Sequence, residues 1–200
     1  MKKLILIVVI SVSFFEITVA QKIGSYTDSR DGKTYKTVRI GDQTWLAENL
    51  AFKVEKGCWA PDNNQSNVSE YGYLYDWEAA KKAVPSGWRL PTKEDFLKLL
   101  NVYGGNESRK AYNALRVGGE SNFNVKLAGS RYVEVENVYQ FGKGAGIWTS
   151  NEHYKIYAWY CYFREDHGDG GGTPKYNKKA VMGTNSQKTA LSVRLIKENN

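Results

Sequence analysis

The sequence predicts an α+β fold: an N-terminal β meander, two helices after it, and irregular short strands in the second half. Three observations carry this. Before residue 50, runs rich in Thr, Tyr, Val and Ile are punctuated by Asp31-Gly32 and Gly41-Asp42, dipeptides suited to tight hairpins. Apolar residues at helical spacing then recur in two stretches, 71–84 and 92–103. Beyond residue 103 the chain turns glycine-rich, and short apolar runs alternate with turn residues. Strands and helices segregated along the chain, with no long linker and no repeat at solenoid period, suit a single α+β domain over residues 21–200.

Residues 1–20 precede that domain and read as a cleaved signal peptide. Met1-Lys2-Lys3 is a basic start, residues 4–15 are almost unbroken apolar chain, and Ile17-Thr18-Val19-Ala20 offers small residues for cleavage before Gln21. The apolar run is shorter than the roughly 20 residues a membrane span requires, and no later stretch reaches that length. No cysteine follows the run to carry a lipid. The expected location is therefore secreted or periplasmic, with no membrane span.

Within the meander, Asp31-Gly32 leads into a strand over 34–40, and Gly41-Asp42, glycine first as a type II′ turn prefers, returns the chain over 43–47. Residues 53–70 are polar, and Pro61, Asp62, Asn63 and Asn64 mark a loop. The first helix, 71–84, places Leu74, Trp77, Lys81 and Val84 on one side, with the lysine stem covering apolar surface, and stops at Pro85-Ser86-Gly87. The second, 92–103, starts at the N-cap Thr92, carries Glu94 and Asp95 in its first turn, and shows a stripe of Phe96, Leu99, Leu100 and Tyr103. Strands are expected near 131–136, 146–150, 154–164 and 191–196. In the 155–163 run, Tyr157, Trp159, Cys161 and Phe163 alternate onto one face and Ile156, Ala158, Tyr160 and Tyr162 onto the other. Apolar residues on both faces predict burial between layers. Tyr154 and Tyr157, at its start, are the expected exposed aromatics.

Charge and chemistry narrow the function. Cleavage removes Lys2, Lys3 and Glu16, so the formal charge falls from +7 to +6. The basic residues are dispersed, which sets nucleic acid aside as a partner and leaves a mildly basic, solvated surface. The chain carries 14 Tyr, 6 Trp and 7 Phe, enough to fill a core and to offer sugar-stacking rings besides. Residues 142–146, Gly-Lys-Gly-Ala-Gly, fail both nucleotide-loop spacings and read as a tight loop feeding the strand at Trp148. His153 and His167, the two histidines, sit in no metal or protease spacing, and there is no nucleophile elbow. The polar cluster 164–170 could gather oxygen ligands for calcium, but it lacks the helix-loop-helix calcium spacing. A solvated loop is the leading reading there, and no cofactor is assigned. Cys58 and Cys161, the two cysteines, are the disulfide candidate for an exported chain. Such a bridge would close a loop worth roughly 4–5 kcal/mol in the chain-entropy model. The alternative is two free thiols.

Several blocks in order resemble one family. They are the 31–50 block, ending Gly41-Asp42-Gln43-Thr44-Trp45-Leu46-Ala47-Glu48-Asn49-Leu50; Tyr71-Gly72-Tyr73-Leu74-Tyr75-Asp76-Trp77; and Pro85-Ser86-Gly87-Trp88-Arg89-Leu90-Pro91-Thr92. Ala128-Gly129-Ser130-Arg131, Gly146-Ile147-Trp148-Thr149-Ser150-Asn151-Glu152 and Leu191-Ser192-Val193-Arg194 follow. Together they resemble the Fibrobacter succinogenes major paralogous domain over residues 26–197. The resemblance implies an exported bacterial domain with a C-type-lectin-like or sulfatase-modifying-factor-like fold, and it brings no established enzymatic activity with it. It also implies cysteines where this chain has Val84 and Leu195, so a packed apolar pair is expected in place of a bridge. A further cysteine implied near Asn67-Val68-Ser69 is missing as well. The reactive cysteine pair and copper of the related oxidases, and the calcium-ligand motifs of lectins, have no counterpart in this sequence.

The leading functional reading is an exported, non-catalytic binding module for a polysaccharide or a cell-surface protein. Its candidate ligand-binding residues lie between 151 and 185: Tyr154, Tyr157, Arg164, Asp166, Asp169 and Tyr176. The alternatives are an envelope structural or assembly protein without a small ligand, and a hydrolase or oxidase using carboxylates that the sequence does not pair. A pocket discriminates among them: a catalytic site needs a concave cleft with convergent perturbed groups, whereas a binding module can show only a shallow aromatic or charged face.

Overall fold

A computed structural model describes residues 22–165 and 178–198 of the chain. Among these the chain is mostly strand, held in several small sheets with a few short helices. The expected signal peptide, residues 1–20, lies outside the described residues. No helix among the described residues is long and apolar enough to cross a membrane.

The N-terminal meander forms as its turns dictate. Strand β1 (Ile23–Thr27) pairs antiparallel with β2 (Thr34–Ile40), and the Asp28 carbonyl accepts the Gly32 N–H at 2.8 Å to close the turn. Strand β3 (Gln43–Leu46) follows β2 through Gly41-Asp42, with Ile40 opposite Gln43. Of the two turn residues Gly41 alone has positive φ, as a type II′ turn requires. The short β4 (Cys58–Trp59) leads through α1 (Val68–Tyr71) to its partner β5 (Leu74–Tyr75).

Helix α2 (Trp77–Lys82) is shorter than the expected 71–84. The Tyr75 N–H donates to the Leu191 carbonyl at 2.8 Å and its carbonyl accepts the Leu191 N–H at 2.9 Å, so the backbone before residue 76 is committed to a β bridge. Asp76 then caps the helix, its Oδ1 accepting the Ala79 N–H at 2.8 Å. The lysine expected to cover apolar surface lies over Trp77, with Lys81 Nζ 3.9 Å from the ring centre. After β6 (Trp88–Arg89) comes α3 (Lys93–Val102), nearly at its predicted bounds. Thr92 and Asp95 form a reciprocal capping box, with hydrogen bonds of 3.1 and 2.7 Å. Phe96, Leu99 and Leu100 are fully buried.

Helix α4 (Arg109–Leu115) was not expected from the sequence. It spans two turns, is capped by the Ser108 hydroxyl, and buries Ala111, Tyr112, Ala114 and Leu115. Strands β7 (Ser130–Tyr132) and β8 (Asn137–Tyr139) form a hairpin where one strand over 131–136 was predicted, because a 3-10 turn over Val133–Val135 breaks the run. Strands β9 (Gly144–Tyr154), β10 (Tyr157–Arg164) and β11 (Lys179–Ser186) make one antiparallel sheet in the order β11-β10-β9. The two-residue β12 (Thr189–Ala190) joins β7, and β13 (Ile196–Lys197) lies between β3 and β6. The predicted strand at 191–196 is extended chain with single bridges, such as Ile147 to Ser192.

Two large clusters make the core. In one, Trp45, Phe96, Leu100, Leu115 and Phe123 pack on Ile147, Cys161 and Phe163. The other gathers Tyr35, Leu50, Tyr75, Trp88, Trp148, Leu191 and Leu195. Val84 packs against that second cluster, so the two positions where cysteines were implied share one apolar cluster.

The expected Cys58–Cys161 bridge is not formed; both cysteines are free. Cys161 points into the first cluster, whereas Cys58 is half-buried against the second and donates its S–H to the Val54 carbonyl at 3.3 Å. Burial pushes the thiol pKa of both upward.

Arg194 is fully buried and ties three segments together. Its Nε donates to Asn49 Oδ1 at 2.7 Å, Nη1 to the Leu46 carbonyl at 3.3 Å and to the Phe123 carbonyl, and Nη2 to the Asn124 carbonyl at 2.7 Å. The guanidinium also stacks 4.7 Å from the Phe123 ring centre. Burial pulls its pKa down, and the carbonyl cage is what lets the charge stay inside.

Candidate functional site

The outer face of the β9–β11 sheet opens into a cleft of about 450 Å³, closed on the other side by the β7–β8 hairpin. This volume falls within the range of roughly 300–1,000 Å³ usual for ligand sites.

The strand β10 explains where the cleft begins. Alternation placed Ala158, Tyr160 and Tyr162 on one face. Ala158 is indeed fully buried. The pairing of β10 with β9 shifts register between Ala158 and Tyr160, however, and past that irregularity Tyr160 and Tyr162 are half-buried and line the cleft. The predicted burial of this run on both faces therefore holds for Cys161 and Phe163 but not for these two tyrosines.

Glycines on both neighbouring strands make room for the rings. Tyr160 is opposite Gly183 on β11, and Tyr162 is opposite Gly146 on β9. A Cβ on Gly146 would stand 2.9 Å from Leu191 Cδ2 and 3.0 Å from Tyr160 Cδ2, and one on Gly183 would stand 3.1 Å from Tyr160 Cε1. A side chain at either position would push the Tyr160 ring off the sheet surface. Across the cleft, Tyr132 and Tyr139 meet edge to face with centroids 4.8 Å apart, each 42% exposed.

Polar groups converge on these rings. The Tyr162 hydroxyl donates to Gln140 Oε1, which leaves the Gln140 amide N–H groups without an acceptor among the described residues. Asn185 Oδ1 accepts from Thr189 Oγ1 at 3.1 Å and from the Ser186 N–H at 2.8 Å, and its own amide N–H groups are likewise unspent there. The hydroxyls of Tyr132 and Tyr160 add to this set. Burial, with smaller contributions from neighbouring phenols that include Tyr132, raises the pKa of Tyr160 and Tyr162, so both enter the site as neutral hydroxyls. Among the described residues no charged side chain lines the cleft. Stacking faces beside neutral donors and acceptors can hold a ligand that carries both C–H surfaces and hydroxyls.

The residues singled out by sequence lie elsewhere. Tyr154 and Tyr157 pair across the β9–β10 turn and are 65% and 41% exposed. They sit at the opposite end of β10 from the cleft. Arg164 ends that strand, 7% exposed, its backbone paired with Gly144 and Lys179, and it does not line the cleft. Asp166, Asp169 and Tyr176 lie outside the described residues, as does most of the 164–170 cluster weighed for calcium. Among the described residues no three His, Cys, Asp or Glu side chains cluster as a metal site. His153 rests on Trp159 with ring centres 5.1 Å apart, and Lys93 Nζ lies 3.7 Å from that indole's centre.

Sequence reasoning missed the cleft tyrosines because it had no β9–β10 register. The available signal was Tyr160 and Tyr162 sharing a face, with Gly144 and Gly146 ahead of Trp148 to supply a strand without side chains beside them.

Comparison with curated proteins and with solved structures returned no match to this chain. Residues 38–197, most of the chain and all of the strands that line the cleft, match the Fibrobacter succinogenes major domain, and the chain belongs to that family.

Proposed function

We propose that the protein is an exported, non-catalytic binding module that holds a polysaccharide in the tyrosine cleft. The observation that carries this reading is the convergence of four tyrosines with the unspent amide groups of Gln140 and Asn185 in one cleft. Sugars present alternating C–H faces and hydroxyls, and aromatic rings beside side-chain amides answer both. Export rests on the basic start, apolar run and small-residue cleavage site of residues 1–20.

We further propose a C-type-lectin-like fold. Its support is the return of β13 to a place between β3 and β6, which brings the C-terminal end beside the N-terminal meander and leaves the intervening chain to build the cleft. A glycan array probed with the exported protein and its Tyr132→Ala variant tests the function. Specific spots that fade in the variant support it, and a blank array sinks it. A second reading, docking onto a cell-surface protein, is favoured by the exposed Tyr154, Ile156 and Tyr157 at the β9–β10 turn. Pull-down from envelope extracts, lost in Tyr154→Ser, would identify that role.

A further inference from the structure

The cleft constrains its ligand's charge, an inference that rests on the polysaccharide reading above. Among the described residues its lining is tyrosine, glycine, serine, carboxamide and two small aliphatic surfaces, Ala145 and Leu191, with no lysine, arginine, aspartate or glutamate. Two strand cations flank the cleft outside its lining, both buried: Arg131 on β7, which donates to Asn63 Oδ1, and Arg164 at the end of β10. Lys188 and Glu134, both exposed and outside the lining, pair with each other at 2.6 Å. An ionised carboxylate or sulfate entering the cleft would give up water and meet no countercharge, a penalty that hydrogen bonds from neutral amides offset poorly. A neutral sugar meets no such penalty. Its C–H face can lie on Tyr160, whose ring fits between the glycines on either side, and its hydroxyls can accept from Gln140 Nε2 and Asn185 Nδ2.

We infer that the cleft binds an uncharged sugar residue of a polysaccharide through Tyr160 and the amides of Gln140 and Asn185, with no metal ion in the contact. Affinity then varies little with salt, since no ion pair forms. Gln140→Glu keeps the shape and adds a charge, so it weakens binding through desolvation rather than through lost packing.

The test is affinity electrophoresis of the exported protein through gels holding one neutral polysaccharide (mannan, xylan or a mixed-linkage glucan) or one acidic one (polygalacturonate or dextran sulfate). Each run is made with calcium or with EDTA, and at low or high salt. The expected result is retardation by at least one neutral polymer, unchanged by EDTA and by salt. Tyr160→Ala and Asn185→Ala should each weaken that retardation about tenfold, a loss of about 1.4 kcal/mol. Tyr132→Ala, at a half-exposed position, is the variant least able to disturb folding and should weaken it as well. Retardation by acidic polymers alone, abolished by high salt and by Tyr160→Ala, overturns the neutral-ligand inference while the cleft remains the binding site. Neutral retardation that requires calcium overturns the metal-free contact. Neutral retardation indifferent to Tyr160, Asn185 and Tyr132 together overturns the cleft itself, and no retardation in any gel overturns the polysaccharide reading with it.

Discussion

Replacing Arg194 by methionine removes a side chain that fastens the C-terminal segment to both the meander and the 123–124 turn. Four acceptors lose their donor: Asn49 Oδ1 and the carbonyls of Leu46, Phe123 and Asn124. Three of them are in buried pairs with the guanidinium, and an unsatisfied buried acceptor costs about 1–3 kcal/mol. Methionine restores part of the apolar stem and relieves the cost of burying a charge, which brings the expected loss to about 3–5 kcal/mol, in line with removal of one partner from a buried charged pair. Arg194→Lys should fare no better. A single compact ammonium cannot span acceptors on three segments as the planar fork does. Urea unfolding followed by tryptophan fluorescence measures this directly, with the midpoint falling and the slope unchanged. Heat unfolding should shift down by about 10 °C for a chain of this size. A loss below about 1 kcal/mol in both variants would refute the reasoning, since it would mean that the cage rehydrates or closes at little cost.

Other consequences follow from burial and close packing. Tyr35, Tyr75, Tyr112 and Tyr160 have pKa values raised chiefly by burial, so the folded state holds these protons to higher pH than the unfolded chain does. The stability they contribute is complete below about pH 10 and is lost as pH climbs above it. Tyrosinate absorbance should therefore rise in two phases, the later one coinciding with unfolding; a single smooth phase ahead of unfolding would contradict this. Gly146→Ala sets a Cβ 2.9 Å from Leu191 and 3.0 Å from Tyr160, so it should cost about 1–3 kcal/mol and weaken ligand binding; unchanged binding would show that the placement of Tyr160 between the glycines is immaterial. Alkylation followed by mass measurement should mark two thiols in the unfolded protein and Cys58 well ahead of Cys161 in the native one, because Cys161 is fully buried; simultaneous labelling would contradict the burial of β10.

What the sequence made legible was decided locally. The Gly41-Asp42 turn and the Thr92 cap are short-range chemistry, and both formed as read. Where long-range pairing decided the structure, the local pattern misled. Leu74 and Tyr75 fit a helical stripe, yet the bridge from Tyr75 to Leu191 drew them into a strand. Helix α4 is only two turns long, and the 107–119 stretch around it carries Gly118 and Gly119, which masked its apolar spacing. The disulfide followed from cysteine count and export, and it failed because Cys58 and Cys161 belong to different core clusters. The same limit hid the cleft. Tyr160 and Tyr162 could be assigned to a shared face, but only the pairing of β10 with glycines on β9 and β11 shows that this face is open. Tyr154 and Tyr157 were correctly expected at the surface, and exposure alone drew the candidate site to the end of the strand opposite the cleft.

The most direct test sets the two ends of β10 against each other. Equilibrium binding of the polysaccharide that retards the protein most should be measured for the unaltered chain, for Tyr160→Ala and for Tyr157→Ala. The cleft account predicts a loss of about tenfold or more for Tyr160→Ala and no change for Tyr157→Ala. The reverse order, or an equal loss in both, would contradict it.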